Sequence, residues 1–438
     1  RMHHEIASTA ARSSRRFVAR LLAASRFLAL ATASLLVTAC DRVQRQRELE
    51  SDSPYARQVR EAIPRVEKAT GLTFKRPPAV TTRSSDEVRA FVMEQFRDSA
   101  TERQLAAQET IYKRLGAIPE RMSLRDLLTD LLEEQVVGYY DPKRDTLYVV
   151  KGRDETITGA IITHELIHAL QDQYVDIDSI VRQKGNDDRL AAAQSLLEGQ
   201  ATFDGIVAMS GSLISGTTNW SVARDQIRQN RSSTPRMAAA PTIVQEALIF
   251  PYLSGAEFVR RQRDRAPTAS VLRRFPVSSE QVLHDSAFSA SDQPVPVRFT
   301  GVSGIGYENT VGEFETRVLL YEQLRDVSGA ARAAQGWGGD RIALAAGDVL
   351  LWASAWDTQS DAAEFFESVS RMMGIRYEAA AEGQAGATTR VVRAPGRRAT
   401  VSIGDVGGRP TVLVVDAPEA RGAAFSLANV QVGDAGTR

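Results

Sequence analysis

The sequence predicts an α+β protein, in which helices and strands are grouped along the chain instead of alternating regularly. Three observations indicate this class: a run of amphipathic helical segments, one β-rich hairpin, and a last third that mixes both kinds of element. Of the 438 residues, 43% are hydrophobic and 25% are charged, as is typical of a globular protein with a sizeable core. The formal net charge is zero, so composition gives no indication of nucleic acid as a partner.

The N-terminus has the pattern of an export signal. The stretch RSSRRFVARLLAASRFLALATASLLVTAC is basic at first and then apolar from Phe27 to Ala39. This apolar run is too short for a comfortable membrane span but suits the central part of a secretory signal. It ends in Val37-Thr38-Ala39-Cys40, which resembles a bacterial lipobox, where the cysteine is lipidated and becomes the first residue.

This resemblance implies a signal peptide at residues 1–39, acylation of Cys40 and attachment to a membrane through the lipid. We therefore expect a lipoprotein of the cell envelope, on the periplasmic or extracellular face. A signal cleaved without lipidation and an N-terminal anchor helix are the alternatives. Cys40 is the single cysteine, so no intramolecular disulfide is expected in that oxidising space.

The next elements are predicted from apolar spacing. Residues 40–53 are polar and predict a tether. Helices are predicted over 54–70, 85–98, 101–115 and 123–134, with a short strand in KRPPAVTTRS between the first two. QVVGYYDPKRDTLYVV contains two β-rich runs around a turn, Asp141-Pro142-Lys143-Arg144-Asp145, and predicts a hairpin.

Two long helices follow, over 156–174 and 187–209. Apolar residues cover so much of the circumference of the first that it should be buried. Residues 212–245 are polar and predict an exposed insertion. FPYLSGAEFVRRQR and VLRRFPVSSEQVLHDSAF then predict two helices, separated by a turn that contains proline.

The last third is predicted as a separate α+β region. It begins after a linker-like stretch near 291–298 and contains a helix (311–326), a hairpin-like pair (341–356), a helix (358–373) and two short strands (389–404 and 410–416). GWGGDR, with Trp337 and Arg341, predicts a turn that docks this region and carries no chemistry. The predicted domains of the mature chain are therefore 54–290 and 291–438.

The segment HELIHALQDQ contains the main candidate for chemistry. On a helix, residues i and i+4 share one face, so His164 and His168 can direct both imidazoles at one metal ion. Imidazole is a preferred ligand of zinc. Glu165, one residue around the helix, is placed to reach a water beside the metal, where a general base must stand.

A catalytic zinc needs a third protein ligand and an open position. Only one histidine, His284, follows His168, so a carboxylate is the expected third ligand. Glu198 in SLLEGQA is the leading candidate, because a carboxylate in a buried helix is costly unless it is paired or binds metal. Asp172 is the rival, with a bond to an imidazole as its expected role. A simple ion pair with an arginine is the alternative for Glu198.

These residues resemble the gluzincin branch of the zincin metallopeptidases, in which a glutamate on a second helix completes the HExxH site. The surrounding sequence, HELIHALQDQ with LLEGQA, is similar to that of a little-described group of bacterial and archaeal metallopeptidase-like proteins. The specific match covers about residues 134–205. It implies a zincin-like core with an active-site helix, a second ligand helix and a small β-sheet edge.

The resemblance also implies roles for individual residues. His164, His168 and Glu198 would hold Zn²⁺, and Glu165 would activate water. His284 would stabilise the oxyanion, with Tyr252 as a weaker candidate. Gluzincins often have an acidic residue four positions after the third ligand, where this chain has Thr202; Asp204 and Asp172 are the candidates to replace it.

The expected function is zinc-dependent hydrolysis of peptide bonds in a peptide or protein substrate. In zincins a strand edge beside the active helix holds the substrate, and TLYVV of the hairpin at Tyr139–Val150 is the nearest candidate edge. The alternatives are a catalytically silent zinc-binding lipoprotein of the envelope and an amidase that acts on peptidoglycan peptides. The intact Glu165 favours the enzyme, since a structural zinc site needs no base.

Overall fold

The computed structural model describes residues 54–433, apart from the stretches 96–98, 136–137, 153–154, 182–184, 211–228, 230–233, 385 and 422–423. The signal peptide, Cys40 and the tether predicted before Pro54 lie outside these residues. Within the described part, no helix combines the length and the apolar character needed to cross a bilayer. The predicted α+β class is confirmed, since helices and three separate sheets make up the chain.

The helices are α1 (Pro54–Thr70), α2 (Ser85–Gln95), α3 (Ser99–Arg114), α4 (Leu124–Gln135), α5 (Glu155–Asp172), α6 (Ile177–Val181), α7 (Asp187–Ser210), α8 (Pro235–Ala239), α9 (Thr242–Arg265), α10 (Ser279–Leu283), α11 (Asp285–Ala290), α12 (Gly312–Leu324), α13 (Val327–Ala334) and α14 (Gln359–Arg376). The strands are β1 (Ala79–Arg83), β2 (Gly138–Asp141), β3 (Thr146–Val150), β4 (Val297–Phe299), β5 (Ile305–Asn309), β6 (Trp337–Ala345), β7 (Val349–Trp356), β8 (Thr389–Ala394), β9 (Arg397–Val406), β10 (Arg409–Pro418) and β11 (Val430–Val432).

The small sheet has the order β1-β3-β2. The predicted hairpin is confirmed, with β2 antiparallel to β3 and Tyr139 opposite Tyr148. The prediction that TLYVV is an edge strand is wrong, because β1 pairs with the other side of β3 in parallel, and Val149 lies opposite Thr82. A strand bonded on both sides cannot accept a peptide as a further strand, so the free edges of this sheet belong to β1 and β2.

Helix α5 covers the sheet. Its residues Leu166, Ile167 and Leu170 are completely buried, in one cluster with side chains of α1 and β3. The sheet and α5 approach closely at Gly138, where a Cβ atom would lie 2.8 Å from a methyl carbon of Ile161. The apolar circumference of α5 therefore fixes its distance and rotation relative to β2, and with them the direction of its polar residues.

Helices α7 and α9 cross with their backbones in contact. A Cβ atom on Gly199 would lie 2.2 Å from the carbonyl carbon of Gly255, and a Cβ on Gly255 would lie 2.1 Å from the carbonyl oxygen of Ser195. Glycine in a helix costs up to about 1 kcal/mol relative to alanine, but here it allows the approach. This contact holds Glu198, the residue before Gly199, beside α9.

We expect Gly199→Ala to destabilise the protein by about 3 kcal/mol or more, because the new methyl group meets backbone that cannot rotate away. Gly205→Ala on the same helix is the matched control. A Cβ there comes no nearer than 3.8 Å to Ile167, so this change should be neutral or stabilising by up to about 1 kcal/mol. Denaturant unfolding measures both. Equal stabilities of the two variants would contradict the close crossing.

The chain beyond the linker-like stretch forms a six-stranded antiparallel sheet in the order β5-β6-β7-β10-β9-β8. Helix α14 packs on one face, where Phe365 contacts the rings of Trp352 and Trp356. The predicted helices at 311–326 and 358–373 and the pair at 341–356 are confirmed. Of the two strands predicted after them, 389–404 is in fact two strands, β8 and β9, and 410–416 corresponds to β10.

Other local predictions are corrected. The polar stretch 212–245 is not an exposed insertion at its end, because Met237 in α8 and Ile243 in α9 are completely buried; most of its earlier part lies outside the described residues. VLRRFPVSSEQVLHDSAF is not one helix: a short 3-10 turn, α10 and α11 replace it, since Pro276 and the capping residue Ser278 interrupt the pattern.

GWGGDR is also not a turn. It begins strand β6, with Trp337 completely buried. Arg341 on this strand does contact the rest of the molecule, since its Nη1 donates to the carbonyl oxygen of Gly185 at 2.7 Å, just before α7 begins. The large sheet is therefore tied directly to the segment that leads into the helix of Glu198.

Candidate metal centre

Three predicted ligands converge between α5 and α7. His164 and His168 lie one turn apart on α5, and their Nε2 atoms are 3.2 Å apart. Glu198 Oε2 on α7 lies 3.1 Å from His164 Nε2 and 3.3 Å from His168 Nε2. The alternative of an ion pair between Glu198 and an arginine is therefore wrong within the described residues, since its contacts are the two imidazoles.

The spacing of these atoms fits a zinc ion. Ligand atoms around a tetrahedral zinc lie at about 2.0–2.1 Å from the metal, so they are roughly 3.3 Å from one another. The three atoms form a nearly equilateral triangle with sides of 3.1, 3.2 and 3.3 Å, which is one face of such a tetrahedron. The imidazole side chains remain 21% and 15% exposed, so the fourth position can face solvent.

The tautomer of His168 is set by a neighbouring amide. Gln171 Nε2 donates to the carbonyl oxygen of Leu197 at 2.9 Å and to Gln200 Oε1 at 3.0 Å. This leaves Gln171 Oε1 to accept a hydrogen bond from the N–H of His168 Nδ1, at a distance of 2.9 Å. In the neutral imidazole, His168 Nε2 therefore directs a lone pair at the space that it shares with His164 and Glu198.

The same hydrogen-bonded chain continues away from the centre. Gln200 Nε2 donates to Asp204 Oδ2 at 3.1 Å, and Arg263 Nη2 donates to the same oxygen at 2.7 Å. Gln171 and Gln200 are completely buried and Asp204 is nearly so. Of the two candidates to replace an acidic residue at position 202, Asp204 is thus connected to His168, through two glutamines and without touching an imidazole.

Asp172 does not bond to an imidazole, so that prediction is wrong. Its Oδ2 accepts a hydrogen bond from the hydroxyl of Tyr140 at 3.1 Å, and burial raises the pKa of Asp172 to about 6. The helical period explains the difference: the third position after His168 is occupied by Gln171, whose amide reaches the ring. The sequence contained a signal for Gln171 and Gln200, since each is a polar residue within a helix that is largely buried.

Glu165 lies beside the triangle and is held by the small sheet. Its side chain is buried, and Oε2 accepts the backbone N–H of Tyr140 in β2 at 2.9 Å. Burial raises the pKa of Glu165, although the nearby charges of His168 and His164 act in the opposite direction. The outward N–H of an edge strand thus orients this carboxylate, which sequence spacing alone places only on the helix.

The charges of the three converging groups are strongly coupled. Burial alone would lower the pKa of His168, but its attraction to Glu198 and its hydrogen bonds raise it to about 9. Burial would raise the pKa of Glu198, but the two imidazoles leave it well below its ordinary range. Without a metal the group therefore retains a proton, which a bound zinc must displace, so zinc affinity should decrease as the pH falls.

We expect Gln171→Leu to weaken zinc binding about 10- to 100-fold, because the ring of His168 loses the acceptor that fixes its tautomer. Gln173→Leu, two residues further along, is the control: its amide bonds to Lys75 and Arg76 on the surface and to no imidazole. Competition with a chromogenic zinc chelator measures both affinities. An unchanged affinity in Gln171→Leu would show that the amide does not position the ligand.

The two residues predicted to stabilise an oxyanion are placed differently. The ring of Tyr252 on α9 stacks on His164, with centroids 5.9 Å apart and planes inclined by 23°. His284, between α10 and α11, is not in the converging group: its Nε2 lies 2.8 Å from Glu313 Oε1 and 3.0 Å from Arg317 Nη2. The structure therefore brings Tyr252, and not His284, to the ligands.

Comparison with known proteins gives one match. A family model described as "Domain of unknown function (DUF8575)" matches residues 301–425. This segment comprises the six-stranded sheet and α12–α14, and contains none of the residues around His164. No curated protein and no solved structure matches the chain.

Proposed function

We propose that this protein is a zinc-dependent hydrolase of peptide bonds. The observation that carries the proposal is the triangle of His164, His168 and Glu198, whose sides of 3.1–3.3 Å suit a zinc ion, with a buried glutamate beside it. Two imidazoles and one carboxylate are also a donor set that zinc favours in hydrolases. The resemblance of HELIHALQDQ and LLEGQA to gluzincins supports the same conclusion.

Zinc in such a site supplies Lewis-acid polarisation of the substrate carbonyl and makes water more acidic. The protein supplies the base. One oxygen of Glu165 is held by the N–H of Tyr140, and among the described residues its other oxygen has no hydrogen-bond partner. That oxygen is available to take a proton from the attacking water and to pass it to the leaving amine.

We assign stabilisation of the developing oxyanion to Tyr252 in preference to His284. Tyr252 is held against His164 at the crossing of α7 and α9, three residues before the contact at Gly255. The Nε2 atom of His284 is engaged with Glu313 and Arg317. His284 remains a sequence-based prediction, for which the contacts of the described residues give no support.

The catalytically silent alternative uses the same ligands for a structural zinc. A structural site needs no base, and burial of a carboxylate costs free energy unless the group is paired, hydrogen-bonded or bound to a metal. Glu165 is buried and accepts only one hydrogen bond from the residues that the structure describes, so its presence favours catalysis. Envelope location, with lipid attached to Cys40, is proposed on the N-terminal sequence alone.

The test is digestion of a peptide library by the zinc-loaded protein, with products identified by mass spectrometry. Cleavage should stop when a zinc chelator is added and return when zinc is restored. Glu165→Gln, prepared in the same way, controls for contaminating peptidases. Equal cleavage by the wild-type protein and this variant would reject the proposed function.

A further inference from the structure

Three carboxylates outside the candidate zinc centre also converge. They are Glu280 in α10, Asp292 just after α11 and Asp357 just after β7, and their nearest oxygens lie within 4.8 Å of one another. Like charges at this separation repel strongly unless a cation or a proton lies among them. Neither the motif helix nor the proposed hydrolysis uses any of these groups.

Glu280 provides a second and independent observation. It is only 8% exposed, yet among the described residues its carboxylate has no hydrogen bond and no ion pair. Nearby, Glu313 is completely buried, and its Oε2 also has no hydrogen-bond partner in the described part of the chain. A buried charged carboxylate without a partner costs several kcal/mol, so such a group normally binds a cation or a proton.

The basic residues described nearby do not form an ion pair with Glu280. Arg317 directs its Nε and Nη2 atoms at Oε1 of Glu313. Arg409 Nη1 reaches Asp357, but only to 3.9 Å. Burial, followed by the charges of Glu313 and Asp292, raises the pKa of Glu280 to about 9.

We propose that Glu280, Asp292 and Asp357 bind a calcium ion. Oxygens that touch one ion at about 2.4 Å, the usual calcium–oxygen distance, lie no more than about 4.8 Å apart, and the three carboxylates meet this limit. A set made only of oxygen ligands suits a hard cation such as calcium. Zinc prefers sets that include imidazole or thiolate ligands. Asp292 and Asp357 are exposed, which leaves room for the water ligands that complete six to eight positions.

The three ligands are held by different parts of the chain. Gln281 Nε2, next to Glu280, donates to the carbonyl oxygen of Asp292. The N–H of Asp357 donates to the carbonyl oxygen of Gly336 at 2.9 Å, at the start of β6. The ion therefore joins α10 to the large sheet, and its binding should stabilise this junction without changing the zinc ligands.

The test is calcium titration of the purified, chelator-treated protein, followed by calorimetry and by thermal unfolding. We expect one site per chain and a rise in Tm of roughly 5 °C at about 100 times the Kd. Glu280→Gln and Asp357→Asn should each weaken binding at least about tenfold and abolish the rise in Tm. Glu280→Gln should fold, because it removes a buried charge and keeps the shape of the side chain.

Two controls separate this site from other effects. Glu364→Gln changes an exposed carboxylate on α14, and His168→Ala changes the candidate zinc centre; both should bind calcium as the wild type does. Magnesium should bind more weakly, because it requires shorter and more regular coordination. The proposal is overturned if the wild type shows no saturable calcium binding, if Glu280→Gln binds equally well, or if magnesium binds as tightly.

Discussion

Replacing Glu165 with glutamine is expected to reduce peptide hydrolysis by about 10²- to 10⁴-fold while zinc stays near one ion per chain. Glutamine has the same shape, and its carbonyl oxygen can still accept the N–H of Tyr140 in β2. The amide cannot take a proton from the attacking water, so the loss should appear in kcat. Single-turnover cleavage of a library-derived peptide measures it, beside metal analysis of the same sample.

Asp172→Asn is the matched control for this experiment. It makes the same change from carboxylate to amide on the same helix, but Asp172 contacts the hydroxyl of Tyr140 and not the converging ligands. Its kcat should remain within a few-fold of the wild-type value. If Glu165→Gln were as active as the wild type, or if Asp172→Asn lost as much activity, the role given to Glu165 would be wrong.

The helices could be predicted because their signals are local. α1 begins and ends at the predicted residues, and α5 and α7 do so within two residues, since amphipathic spacing and caps lie within each segment. The order of the small sheet could not be predicted. β1 precedes β3 by more than sixty residues and pairs with it in parallel, and no local pattern in TLYVV indicates how many neighbours it has.

The metal ligands could be predicted from local sequence patterns, but the residues that support them could not. His164 and His168 follow from the period of one helix, and Glu198 follows from a charge in an apolar segment. Gln171 and Gln200 support the centre through a chain that depends on how α5 faces α7, which is a property of packing. The cluster of Glu280, Asp292 and Asp357 is still harder to predict from the sequence, because its three carboxylates come from segments up to 77 positions apart.

His168→Ala is expected to empty the candidate centre. Loss of one of three ligands leaves two donors, and the affinity for zinc should fall by more than the 10- to 100-fold expected for a supporting residue such as Gln171. Glu198 would also lose one of the two imidazoles that face it, while it stays buried. The thermal stabilisation that zinc gives to the wild-type protein should therefore disappear.

Zinc per chain after dialysis, and Tm with and without zinc, measure this result. His284→Ala is the control, because it removes the one histidine that follows HELIHALQDQ in the sequence and leaves the triangle untouched. It should retain one zinc per chain. Full retention of zinc by His168→Ala would instead show that the ion is held elsewhere. Loss of zinc from His284→Ala alone would place the metal beside Glu313, since that carboxylate and Arg317 are the partners of the His284 ring.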